Sequence, residues 1–119
     1  MLFIWINLAL EEKFMKMIAA VIKHFKLDDV KDALSQAGIQ GMTVTEVKGF
    51  GNEQTRPDSY LFLPKTKVEV YCADDALDPL IETICRVCHT GRLGDGKIAV
   101  FNIEELVRIR TGNRGEVAV

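Results

Sequence analysis

The chain has 119 residues, 48% of them apolar and 27% charged, and a net charge of −2. That length suits one domain with a modest core, and the near-neutral charge excludes a general nucleic-acid binder, which needs a basic surface. Three cysteines, Cys72, Cys85 and Cys88, are an odd and small number, which speaks against a disulfide framework and for a reducing, cytoplasmic setting.

Residues 1–14 read as an N-terminal extension of a domain over 15–119. The run from Met1 to Leu10 is apolar and ends at Glu11-Glu12-Lys13. It is too short to span a membrane, and it lacks the basic start and small-residue cleavage site of a signal peptide. Three origins stay open: an added strand or helix covering apolar surface, a weak membrane or partner contact, or translated leader ahead of a true start at Met15.

From Met15 the pattern is regular. Met17, Ala19 and Val21 alternate with Ile18, Ala20 and Ile22, an apolar run that predicts a strand buried on both sides. Leu27-Asp28-Asp29 opens a helix: Leu27, Val30, Leu34 and Ala37 recur at helical spacing, the acids favour the N-terminal dipole, and Gly38 ends it. Gly41 to Lys48 is rich in β-branched residues and predicts a second strand. Asn52 to Tyr60 is polar, contains Pro57 and has no period, so it reads as a loop. Over Lys65 to Cys72, Val68, Val70 and Cys72 fall on one face and Lys67, Glu69 and Tyr71 on the other, a third strand. Asp74-Asp75 opens a second helix with Leu77, Leu80, Ile81, Ile84 and Cys88 as its buried stripe. Lys97 to Ile103 predicts a fourth strand and Val107 to Arg110 a short fifth. The order β-α-β-β-α-β is the ferredoxin-like α+β unit, an antiparallel sheet with both helices on one face. The other face needs a cover, and in so short a chain another subunit is the natural candidate.

The stretch from Thr90 to Lys97 holds three glycines and two cations, a composition suited to an anion-holding loop. Gly91 to Lys97 fits G-x-x-x-x-G-K, but Ile98 stands where a P-loop needs Ser or Thr for Mg²⁺, and the helix precedes the loop instead of following it. Phosphate binding is therefore expected and P-loop hydrolysis is not. Arg108 and Arg110, two apart on the supposed fifth strand, would present both guanidinium groups on one face, ready for phosphate oxygens. Cys85-Arg86-Val87-Cys88-His89 matches C-x-x-C-H, a haem-attachment pattern. Both cysteines lie on or beside the buried stripe, so apolar packing is the preferred reading, ahead of a redox, haem or metal role. His24 and His89 have no metal-ligand spacing, and no catalytic triad or carboxylate pair can be assembled.

Four segments together resemble the PII nitrogen-regulatory signalling proteins: Gly41-Met42-Thr43-Val44-Thr45-Glu46-Val47-Lys48-Gly49-Phe50-Gly51, Leu63-Pro64-Lys65, Thr90 to Lys97, and Arg108-Ile109-Arg110-Thr111-Gly112. Lys26-Leu27-Asp28-Asp29-Val30 fits as well, and the resemblance runs in register from Met15 to about Gly112. It implies a cytoplasmic homotrimer of ferredoxin-like subunits that binds ATP or ADP, or AMP, in clefts between subunits. It also implies a regulatory protein and not an enzyme, with no prosthetic group, in which a partner (an enzyme or a membrane transporter) reads a long T-loop. By the resemblance, Gly49, Phe50, Gly51, Lys65, Gly94, Asp95, Gly96 and Lys97 line the nucleotide from one subunit. Gly41, Met42, Thr43, Glu69, Arg108 and Arg110 come from the neighbour or form the adenine and phosphate walls. The sequence departs from the family between Asn52 and Phe62, a span shorter than the family's T-loop and without its tyrosine modification site at the tip; Tyr60 lies near the base. Glu53 stands where the family has a glutamine that helps Mg²⁺-ATP hold 2-oxoglutarate, with Gln54 adjacent, and a carboxylate there repels a dicarboxylate. The second ligand is left open among 2-oxoglutarate, bicarbonate and neither, and Mg²⁺ with it. The alternatives to a nitrogen or carbon regulator of this kind are a PII-like bicarbonate sensor tied to carbon uptake and a slow nucleotide hydrolase.

Overall fold

The computed structural model describes residues 15–51 and 62–119; the apolar extension and the loop from Asn52 to Tyr60 lie outside the described residues. The elements are β1 (Met15–Ile22), α1 (Leu27–Gln36), β2 (Thr43–Gly49), β3 (Leu63–Ala73), α2 (Leu77–Cys88) and β4 (Gly96–Ile103). Short 3₁₀ turns, His24–Lys26 and Asp74–Ala76, lead into the two helices, and a third, Gly115–Ala118, lies near the C-terminal end. The four strands form one antiparallel sheet in the order β2-β3-β1-β4. This is the expected βαββαβ fold.

The alternation of β1 and β3 determines which side each residue takes. Ile18, Ala20 and Ile22 of β1 and Val68, Val70 and Cys72 of β3 form one buried layer, closed by Val30 and Leu34 of α1 and Leu80, Ile84 and Cys88 of α2. Thr66 is buried in the same row. As one of the two inner strands, β1 has its core side sealed by the helices, and Ala19 on the opposite side is also buried.

Helix α1 stops where its sequence asks it to. Ile39 N–H donates to Leu34 O at 3.0 Å and Gly38 N–H to Ser35 O at 3.1 Å, the two closing bonds of a Schellman cap. That cap needs a left-handed residue, and Gly38 supplies it at φ +96°. In α2, Pro79 lies in the first turn, where its missing N–H would have had no intrahelical partner.

The helix-free sheet face carries Met17 and Val21 of β1, Lys65, Lys67, Glu69 and Tyr71 of β3, and Lys97 and Phe101 of β4, as the strand registers require. Tyr71 and Phe101 are exposed on it. Among the described residues this mixed apolar and charged surface is left open.

The expected fifth strand is absent. Val107 makes one isolated bridge to Arg114, and the chain turns between them. Arg108 N–H donates to Asn113 O at 2.8 Å and Gly112 N–H to Arg108 O at 2.7 Å. The tight return uses the backbone groups that a ladder would have needed. Ile109, in the middle of the expected strand, is 98% exposed at the tip of this turn.

Candidate functional site

The loop between α2 and β4 is organised around the carboxylate of Asp95. It accepts hydrogen bonds from Thr90 N–H at 2.7 Å, from Gly91 N–H at 3.0 Å and from the Thr90 hydroxyl. Lys23 Nζ, just past β1, pairs with it at 3.1 Å and also reaches the Thr90 hydroxyl at 3.3 Å. The Thr90 hydroxyl in turn accepts from Arg92 N–H at 3.2 Å. The side-chain hydrogen bond from Thr90, then those from backbone N–H groups and the lysine, hold the Asp95 carboxyl well below the usual carboxylate range. Asp95 therefore acts inside the loop: its charge meets donors that an outside anion would otherwise find.

The loop's far end is fixed by Gly96. An added Cβ there would lie 1.9 Å from Val21 O, and φ is +107°, so only glycine lets β4 start this close to β1. Lys65 Nζ bonds Gly94 O at 3.2 Å, which ties β3 to the same loop. Around this frame opens a cleft of about 530 Å³ whose lining includes Gly49, Phe50, Gly51, Lys65, Gly94, Asp95, Gly96 and Lys97. All eight residues assigned to one subunit meet there. Arg92 and Leu93 join them; as members of the glycine-rich stretch they were visible in sequence, but nothing in their spacing marked them as lining.

A second cleft, of about 630 Å³, lies at the other end of the sheet. Gly41, Met42, Thr43, Glu69, Arg108 and Arg110 all line it, so the six residues expected from the neighbour or from the adenine and phosphate walls also come together. Arg108 and Arg110 reach it from the turn, not from a strand. Gly38, Ile39, Gln40, Tyr71, Ala118 and Val119 complete the lining. Tyr71 was legible as an outward position of β3, whereas the approach of residues 118 and 119 depends on the turn and had no signal.

The two clefts are separate within one chain. Lys65 belongs to the first and Glu69 to the second, four residues apart on one strand, or roughly 13 Å. The first cleft is cationic through Lys65, Lys97 and Arg92. The second sets two guanidinium groups against one carboxylate and an apolar wall with Ile39 and Met42.

Cys85, Cys88 and His89 contribute to a smaller cavity of about 240 Å³ between α2 and β4, with Ile22, Ile84 and Ile98. Cys88 is buried among the core residues, while Cys85 is exposed. Burial is the main influence on the Cys88 thiol and pushes it up, away from the thiolate that redox or ligation chemistry requires. Among the described residues no group of three or more His, Cys, Asp or Glu side chains is placed to hold a metal ion.

Comparison with known proteins agrees with the fold. The family model for nitrogen regulatory protein P-II matches residues 15–113. The chain belongs to the P-II family. It is similar to the nitrogen regulatory protein P-II of Mesorhizobium japonicum, 55% identical over 112 residues, with 88% of this chain and 100% of that protein covered. It is 49% identical over 112 residues to nitrogen regulatory protein P-II 1 of Escherichia coli strain K12, with the same coverage. Among solved structures, Arabidopsis thaliana PII bound to citrate superimposes with a TM-score of 0.78 at 34% identity, covering 91% of this chain and 94% of that one. The relatives are named as regulatory proteins, not as enzymes. Among the described residues, no helix of this P-II family member is long and apolar enough to cross a membrane.

Proposed function

We propose that this P-II family protein is a cytoplasmic, homotrimeric adenine-nucleotide sensor that regulates a partner protein in nitrogen or carbon metabolism. ATP, ADP or AMP would sit where the glycine-loop cleft of one subunit faces the arginine cleft of the next. The observation that carries this reading is the division of fourteen expected residues into two clefts, eight in one and six in the other. Each cleft alone is half a site: one offers a glycine-rich loop with two lysines, the other paired arginines beside an apolar wall. Joining the two across a subunit boundary places cations on several sides of a polyphosphate, the arrangement in which charge-assisted bonds are strongest. The open sheet face, with Met17, Val21, Tyr71 and Phe101, supplies apolar surface that trimerisation would bury.

The regulatory output would run through the segment between Gly51 and Phe62, because Gly49, Phe50 and Gly51 line the cleft at its base. A nucleotide touching that base is sensed where the segment is anchored. Partner identity and the choice between 2-oxoglutarate and bicarbonate as second ligand belong to this same reading and call for measurement.

Titration calorimetry with ATP, ADP and AMP, each with and without Mg²⁺, 2-oxoglutarate and bicarbonate, tests the reading. The expected result is nucleotide binding that Lys97→Ala and Arg110→Ala each weaken by roughly 10- to 100-fold, the loss of one charge-assisted contact. No binding at millimolar nucleotide would overturn it. Sustained ATP turnover abolished by Lys97→Ala would favour the hydrolase alternative instead.

A further inference from the structure

The arginine cleft is walled in part by residues 118 and 119. Arg108 Nη2 donates to Val119 O at 3.1 Å, and Ala118 and Val119 line the cleft beside Arg108 and Arg110. The segment is brought there by a chain of local bonds. Val107 bridges Arg114, and Gly115 N–H donates to Leu106 O at 2.9 Å. The guanidinium of Arg114 pairs with both carboxylate oxygens of Glu105, at 3.2 and 3.1 Å. The Gly115–Ala118 turn follows and delivers Val119 to Arg108.

Little apolar burial holds this segment down: Val117 and Val119 are both exposed. Its grip on the cleft is the Arg108 hydrogen bond, a contact an anionic ligand competes for directly. A guanidinium bonded to a main-chain oxygen has fewer donors left for phosphate.

We propose that the segment Gly115–Val119 is an internal occupant of the arginine cleft, holding Arg108 through the Val119 main-chain oxygen until an anionic ligand displaces it. The occupant's presence is independent of ligand identity; that the displacing ligand is a nucleotide rests on the reading above.

Two measurements on the full-length protein test it. In ligand-free protein, ¹⁵N relaxation of Val117 and Val119 is compared between wild type and Arg108→Gln, whose backbone bonds are unaffected. Order parameters falling below about 0.6 in the variant support the occupant; unchanged values overturn it. Calorimetry with ATP then compares wild type with a chain lacking residues 117–119. Tighter binding by roughly three- to tenfold in the shortened chain, the release of one hydrogen bond to a charged group, supports competition. Equal or weaker binding overturns it and makes the segment a wall of the site. If neither form binds ATP, the nucleotide reading fails, and the occupant stands or falls on the relaxation result alone.

Discussion

Asp95 shows how one carboxylate can organise a loop from within. Its carboxylate collects the Thr90 and Gly91 N–H groups, the Thr90 hydroxyl and Lys23, so the loop is prearranged before any anion arrives. The resemblance placed Asp95 among the lining residues, and it does line the cleft; the direction of its carboxylate could not be read from spacing. The pH consequence follows from the sign of the shift. Thr90, the neighbouring amides and Lys23 lower the Asp95 carboxyl from its ordinary value of 3.8. A depressed carboxylate contributes its stabilisation above the unfolded value and loses it as pH falls toward the folded one. Loop order is therefore expected to hold from neutral pH down to about 4 and to decay below that. Amide exchange at Thr90 and Gly91 checks this: Asp95→Asn should speed it at pH 7, and the wild-type difference from the variant should shrink only below about pH 4. Equal exchange in the two proteins at pH 7 would remove Asp95 from this role.

At the scale of elements, β4 depends on a close approach that only one residue permits. A Cβ at Gly96 meets Val21 O at 1.9 Å, a backbone atom that cannot rotate away, whereas a Cβ at Gly49 meets nothing within 4 Å. Gly96→Ala should cost about 2–4 kcal/mol by urea unfolding and Gly49→Ala within about 0.5 kcal/mol; similar costs for both would show that the β1–β4 approach is not constrained as described. Most elements were legible because burial follows period. Val68, Val70 and Cys72 face the helices, and Val30, Leu34, Leu80 and Ile84 repeat at helical spacing. The predicted fifth strand over Val107 to Arg110 failed for a physical reason: hydrogen bonds from Arg108 and Gly112 close a turn instead of a ladder. The paired arginines still line one cleft, which they reach from this turn and not from a strand. Cys88 lies on the buried stripe as its spacing implied, whereas Cys85, one turn from Ile81, faces solvent.

At the scale of the whole molecule, one chain carries two separate clefts, roughly 13 Å apart along β3, and, among the described residues, an open sheet face of mixed apolar and charged side chains. A homotrimer would resolve both features: it would cover Tyr71 and Phe101 and bring each glycine loop to a neighbour's arginines. The most direct test is complementation between subunits. Lys97→Ala disables the loop half and Arg110→Ala the arginine half, so neither homo-oligomer should bind ATP well. When the two variants are unfolded together and reassembled, each mixed trimer gains one cleft formed by an intact loop and an intact arginine pair. Recovery of wild-type ATP affinity at a fraction of the sites, measured by calorimetry on the mixed oligomer, is the predicted result. Mixed oligomers that bind no better than the two separate variants would contradict a shared site.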